Sequence, residues 1–184
     1  MARFVHLHVH TEYSLVDGLV RIQSERRDDG SLAREGLVDA CARMGMPAVA
    51  VTDHTNLFAL VKFYRAAVAR GVKPLVGVDL LLREDGERAE PSRLVLLCQD
   101  ERGYRNLRRL VTRAYLEGQG RHGPLLERAW LDSEGTAGLV ALSGARDGDV
   151  GRALLAGRED DARCALEAWL ELFGDRYYLE LTRT

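Results

Sequence analysis

The chain is predicted to be an α/β protein built on a mostly parallel sheet, and three observations predict it. Short apolar runs rich in β-branched residues alternate with segments whose apolar residues recur at a 3.6-residue period. Two junctions, Gly45-Met46-Pro47 and Gly71-Val72-Lys73-Pro74, repeat one grammar: a glycine stops a helix and a proline stands at the mouth of an apolar strand. The 184 residues, 46% hydrophobic and 29% charged, suffice for one domain with a sizeable core and exclude intrinsic disorder. Parallel neighbours need helical crossovers, so both sheet faces are covered and the sheet is either open or closed into a barrel. Chemistry is then expected at the C-terminal ends of strands.

Taken in order, Arg3 to Val9 alternates apolar residues with histidines and predicts the first strand. Pro47 to Thr52, Pro74 to Leu82, Leu94 to Cys98 and Gly138 to Leu142 read as buried strands. Helices are predicted by Leu57, Leu60, Val61, Tyr64 and Val68, by Tyr104, Leu107, Val111 and Tyr115, and by Leu166, Trp169, Leu170 and Phe173. The charged, glycine-broken stretches Gln23 to Arg34 and Arg83 to Pro91 read as surface loops, and Glu117 to Pro124 as a glycine-rich connection. No low-complexity linker divides the chain, so residues 1–184 are expected to form a single domain.

Charge and cysteine usage narrow the function classes. With 28 acidic and 26 basic residues, net charge alone does not hold the chain to nucleic acid. The helix from Glu101 to Tyr115 does carry Arg102, Arg105, Arg109 and Arg113 at helical spacing. That stripe is read as a solvated face in preference to a contact for nucleic-acid phosphate or an acidic protein. Cys41, Cys98 and Cys164 lie far apart in apolar runs and are expected to be core residues of a protein in a reducing compartment, the cytoplasm. No run of about 18 apolar residues predicts a membrane span, and no membrane partner is expected. Trp130 and Trp169 are expected in the core.

The chemistry concentrates in His6-Leu7-His8-Val9-His10-Thr11. Three histidines at period two share one side of a strand, where mutual charging is unfavourable and a cation is the natural common partner. His6, deepest in the strand, is left out of the ligand set. Two apolar strands finish in metal-competent groups, one in Thr52-Asp53-His54 and the other in Asp79. Asp17, beside Gly18 after Ser14-Leu15-Val16, reads by itself as a turn residue placed near the first strand's mouth. Mixed His and Asp ligands suit zinc, manganese or iron, and such ions activate water and clamp phosphate, so phosphoester hydrolysis is the reaction class. There is no glycine-rich phosphate loop of Walker type, no G-x-S-x-G elbow and no Cys-x-x-Cys pair.

These residues resemble a known family. His8-x-His10-Thr11, the turn Glu12 to Gly18, and Thr52-Asp53-His54 are similar to the metal motifs of the polymerase and histidinol phosphatase (PHP) superfamily. The strings TEYSLVDG, TDHTNLFALVKFYRAA, GVKPLVGVD, GYRNLRRLV and LSGARDGDVGR resemble, block by block, the N-terminal PHP domains of bacterial replicative DNA polymerase III alpha subunits. The likeness covers essentially Arg3 to Thr184.

The resemblance implies a distorted (β/α)7 barrel, truncated at its C-terminal end in this chain, and a divalent-metal site. Carried over position by position, His8, His10, Asp17 and His54 match metal ligands, and Asp79 stands where glutamate is common. Arg93 and Ala145 replace ligands, and neither can bind metal. Arginine keeps its proton, so Arg93 is expected to pair with a carboxylate such as Asp79 or with a bound phosphate. The final aspartate and histidine ligands would lie beyond Thr184. With Arg93 and Ala145 at two of the seven visible ligand positions, metal occupancy is expected to be reduced. The implied role is a scaffold in a polymerase subunit, docking a proofreading exonuclease and other replicase subunits and meeting DNA through its parent. The alternative is an active metal-dependent 3′-5′ exonuclease or a pyrophosphate or monoester phosphatase.

Overall fold

A computed structural model describes residues 4–84 and 89–181. Arg3, part of the loop from Arg83 to Pro91, and residues 182–184 lie outside the described residues. The chain divides into two compact units, Met1–Val78 and Asp79–Thr184.

In the first unit, a small antiparallel pair, β1 (Glu25–Arg26) and β2 (Leu32–Arg34), precedes α1 (Leu37–Arg43), β3 (Ala48–Val51) and α2 (Leu60–Ala69). The charged stretch read as a plain loop thus contains a hairpin, held in part by Arg26 donating to the Gly30 carbonyl at 2.9 Å. β3 pairs in parallel with the start of β4 (Lys73–Leu82), Ala48 opposite Lys73 and Val51 opposite Val76. Both helix-to-strand junctions form as predicted. Gly45 and Gly71 each take φ of +69°, and the following amides close the helix ends, Met46 onto the Cys41 carbonyl at 2.9 Å and Val72 onto that of Ala67 at 3.0 Å.

One expectation fails here, and α2 forms as expected but buries a different stripe from the one that marked it. Residues 4–10 form no regular strand. Ala50 N–H donates to the His6 carbonyl and Thr52 N–H to that of Val9, a step of two residues along β3 against three along the N-terminal segment. The Thr52 hydroxyl fills the gap, accepting from Val9 N–H at 2.9 Å and donating to the Val9 carbonyl at 3.2 Å. On α2 the buried face is Ala59, Phe63 and Ala67, while Val61, Tyr64 and Val68 are exposed. The helix carries two apolar stripes, and the one with small alanines flanking Phe63 sits against Ile22, Val38, Val49 and Val51.

In the second unit, the strand order is β4, β5 (Ser92–Cys98), β8 (Leu139–Leu142), β9 (Tyr177–Tyr178). α3 (Glu101–Glu117) follows β5, capped by the Asp100 carboxylate accepting from Gly103 N–H at 2.8 Å. A two-residue pair, β6 (Gln119–Gly120) and β7 (Gly123–Pro124), closes the glycine-rich connection. α4 (Asp149–Leu155) and α5 (Glu159–Phe173) lead to β9. β5 and β8 run antiparallel, whereas β8 and β9, like β3 and β4, are parallel, so the sheet is mixed. No closed barrel is formed among the described residues. The reason is the connection: α3 leads out of β5 but returns through β6, β7 and a 3-10 turn at Arg128–Trp130, which reverse the chain before β8.

Leu80, Leu94, Leu96, Leu107, Leu126, Leu139, Trp169 and Phe173 fill this unit's core. Trp169 lies as expected, stacked on Tyr177 at 5.9 Å and donating to Asp149 at 2.9 Å. Trp130 is half-buried beneath the Arg113 guanidinium. Cys41 is buried and Cys98 half-buried, but Cys164 is exposed, because α5 turns Ala162, Trp169 and Phe173 inward and leaves Cys164 off that face. None of the described helices is long and apolar enough to cross a membrane.

Candidate metal centre

The first unit's candidate site is organised by a residue that the ligand pattern passes over. Asp53, at the end of β3, is 1% exposed. Its carboxylate accepts from Thr11 N–H at 2.6 Å, from the Thr11 hydroxyl at 2.8 Å and from the Ser14 hydroxyl at 2.7 Å. Ser14 Oγ in turn accepts from His54 N–H at 3.1 Å. One buried carboxylate therefore fixes the two loops that bear Asp17 and His54, its oxygens satisfied by three donors. The signal was present in the sequence as Thr11 and Ser14 in one motif and Asp53 in the other, but nothing local pairs residues about forty positions apart.

The loop from Thr11 to Gly18 is wound tightly. Ser14 N–H donates to the Thr11 carbonyl at 2.8 Å and Gly18 N–H to the Ser14 carbonyl at 2.7 Å. A Cβ on residue 18 would stand 1.7 Å from the Thr11 carbonyl oxygen, so only glycine allows this closure. The turn lifts Asp17 to the pocket. On the facing loop, Thr55 sits at φ of +50°, a costly conformation for a β-branched residue. Asn56 holds that loop by donating to the carbonyls of Tyr13 at 3.2 Å and His54 at 2.9 Å.

The side chains so placed converge. His54 Nε2 lies 3.1 and 3.0 Å from the two Asp17 oxygens, and His10 Nδ1 lies 3.4 Å from Asp17 Oδ2. The His10 and His54 rings are 3.9 Å apart between centroids. His8 adjoins on the other side, its Nε2 3.2 Å from His10 Nε2. His10 thus faces Asp17 with one ring nitrogen and His8 with the other. His6 is exposed, its ring edge-on to Phe4 at 4.7 Å.

This donor set fits a divalent cation. Ligand atoms of His10, Asp17 and His54 all lie within 4.8 Å of one another. Tetrahedral zinc with bonds of about 2.0 to 2.1 Å holds its ligand atoms about 3.3 Å apart. The two separations to Asp17 Oδ2, 3.4 Å from His10 Nδ1 and 3.0 Å from His54 Nε2, are close to that spacing, and the His10 and His54 ligand atoms lie within 4.8 Å of each other. The pocket is half-open, with His10 and His54 about one-fifth exposed and Asp17 47% exposed.

Asp79 belongs to the second unit. Its side chain is fully buried on β4, and Arg93 Nη1 of β5 donates to its Oδ2 at 2.5 Å. The pairing expected for the arginine is what the structure contains. Ala145 opens a 3-10 turn after β8 with φ of +50° and contributes no ligand atom.

The PHP domain profile matches residues 6–184. The chain belongs to the PHP domain family. It is 46% identical over 181 residues to a DNA polymerase III subunit alpha of Pseudomonas aeruginosa, an overlap that takes in 98% of this chain and 14% of that protein. The DNA polymerase III subunit alpha of Escherichia coli K12 is 44% identical over 182 residues, 99% of this chain and 15% of that one. The chain therefore spans about one-seventh of the length of these relatives. A Bifidobacterium adolescentis structure assigned as a metal-dependent phosphoesterase superposes with a TM-score of 0.50 at 11% identity, covering 94% of this chain and 86% of that one, which marks a shared fold.

Proposed function

We propose that the chain is the PHP domain of a cytoplasmic replicative DNA polymerase III alpha subunit, with a reduced metal site and a mainly supporting role. The observation that carries this reading is the 46% identity to an alpha subunit along 98% of the chain. DNA synthesis is then the work of the longer parent, as is the full (β/α)7 barrel. The domain's own task is to hold neighbouring parts of the replicase and to dock a proofreading exonuclease subunit.

In this proposal His8, His10, Asp17 and His54 hold zinc, manganese or iron, which when bound supplies Lewis acidity toward a phosphate oxygen. Asp79 is the weakest member of the set, because Arg93 already holds its Oδ2. Supporting a scaffold is that arginine: a guanidinium neutralises the carboxylate but offers no lone pair and no site for water activation.

The test joins metal content after exhaustive dialysis to hydrolysis of a 3′-labelled DNA strand, by this chain and by His10→Ala/His54→Ala. At most about one ion per chain, lost in the variant, with no hydrolysis by either protein, is expected. Hydrolysis that the double substitution abolishes would replace the scaffold by an active 3′-5′ nuclease. Absence of any complex between the full-length parent and a proofreading exonuclease in a pull-down would remove the partner.

A further inference from the structure

We propose that the exposed face of α3 is a binding surface for a DNA strand, gripping consecutive phosphates of its backbone. Arg102, Arg105, Arg109 and Arg113 recur every three or four residues and so line one side of the helix. At 1.5 Å per residue the row extends for roughly 16 Å. A row of that length matches a linear polyanion better than a single phosphate. A groove of about 400 Å³ runs along it, lined by Arg105, Arg108, Arg109, Thr112, Arg113 and Leu116, with Glu117 at its end.

The acidic groups facing this surface offset it only in part. Glu101 approaches Arg105 only at 3.7 Å, with both side chains more than half exposed, and such pairs are weak. Glu117 is taken up by Arg113 at 2.8 Å. Arg102 and Arg109 have no ion pair among the described residues, and Arg108 rests on the Tyr104 ring. Arg113 also lies 4.3 Å over Trp130, which braces the guanidinium at the far end of the row. Arginine forks are suited to bidentate contact with phosphate oxygens, and Thr112 adds a hydroxyl donor between them. The helix beneath is rigidly seated, Asn106 donating from its inner face to the carbonyls of Glu134 at 2.8 Å and Ala137 at 3.0 Å. The charge is local: the chain as a whole carries −2.

The assignment stands apart from the metal pocket, and the test is run in chelator to keep them apart. Fluorescence anisotropy of a labelled 30-nucleotide single strand is followed from 50 to 200 mM salt for this chain, for Arg105→Ala/Arg109→Ala and for Arg163→Ala on α5. Four phosphate contacts give a slope of log K against log salt near −3, roughly 0.7 for each charge. The double substitution should bring it near −1.5 and weaken binding at least about tenfold at 100 mM salt, with unchanged circular dichroism, while Arg163→Ala behaves as the parent. Arg105→Lys/Arg109→Lys should keep the slope. Equal losses in the Arg163 variant, an unchanged slope in the double variant, or no binding at 50 mM salt would overturn the proposal. Displacement of the strand by polyglutamate at equal charge would reassign the face to an acidic protein.

Discussion

Two buried aspartates, one in each unit, are satisfied in opposite ways. Asp53 is surrounded by neutral donors from one loop, the Thr11 amide and the hydroxyls of Thr11 and Ser14. Asp79 is met by the full charge of Arg93. These neutral donors hold Asp53 beside the imidazole and carboxylate groups that it positions. The Arg93 guanidinium pairs with Asp79 through Oδ2. The difference teaches how this fold satisfies two buried carboxylates: one anchors the loops through neutral donors, and the other becomes half of an ion pair.

The largest effect should come from Asp53→Ala. It strands three donors and releases the loop that carries Asp17, so a loss of about 3 to 5 kcal/mol in urea unfolding is expected, with zinc binding lost in calorimetry. A loss below about 1 kcal/mol would show that the loop is held by other contacts. Arg93→Leu should cost less, about 2 to 3 kcal/mol, since the arginine is one-quarter exposed and the pair is partly screened by solvent. A stability equal to that of the parent would mean that the ion pair contributes nothing net. The smallest effect is kinetic and compares the two interiors directly. Burial, with Asp100 nearby, pushes the Cys98 thiol up to about 12, and burial also raises Cys41. At pH 8 the Cys98 thiolate fraction is then roughly a thousandfold below that of an ordinary cysteine. Alkylation should modify exposed Cys164 first, and mass mapping that finds Cys41 or Cys98 labelled as fast would show that unit opening freely.

Legibility differed by region for definite reasons. The glycine and proline junctions before β3 and β4 were readable because each is a local conformational requirement, a positive φ at Gly45 and Gly71. The histidine run and the Thr52-Asp53-His54 strand end were readable because such side chains are expensive on an apolar framework without a purpose. The face of α2 was not: Val61, Tyr64 and Val68 keep helical period as well as Ala59, Phe63 and Ala67 do, and hydrophobicity favours the wrong set. Nor was the antiparallel pairing of β5 with β8, which depends on where α3 and the short β6–β7 pair deliver the chain.

By itself the amino-acid order determined the α/β class, the family, the two helix stops and the metal-competent residue types of the candidate pocket, because these depend on backbone preference and on chemistry carried by single positions. Only the tertiary structure decided that Asp53 anchors two distant loops, that His10 addresses Asp17 and His8 with different nitrogens, and that Arg93 occupies Asp79. Those outcomes depend on contacts between residues far apart in the chain, whose geometry is fixed by packing and by the need to satisfy buried polar groups, and no local pattern encodes either.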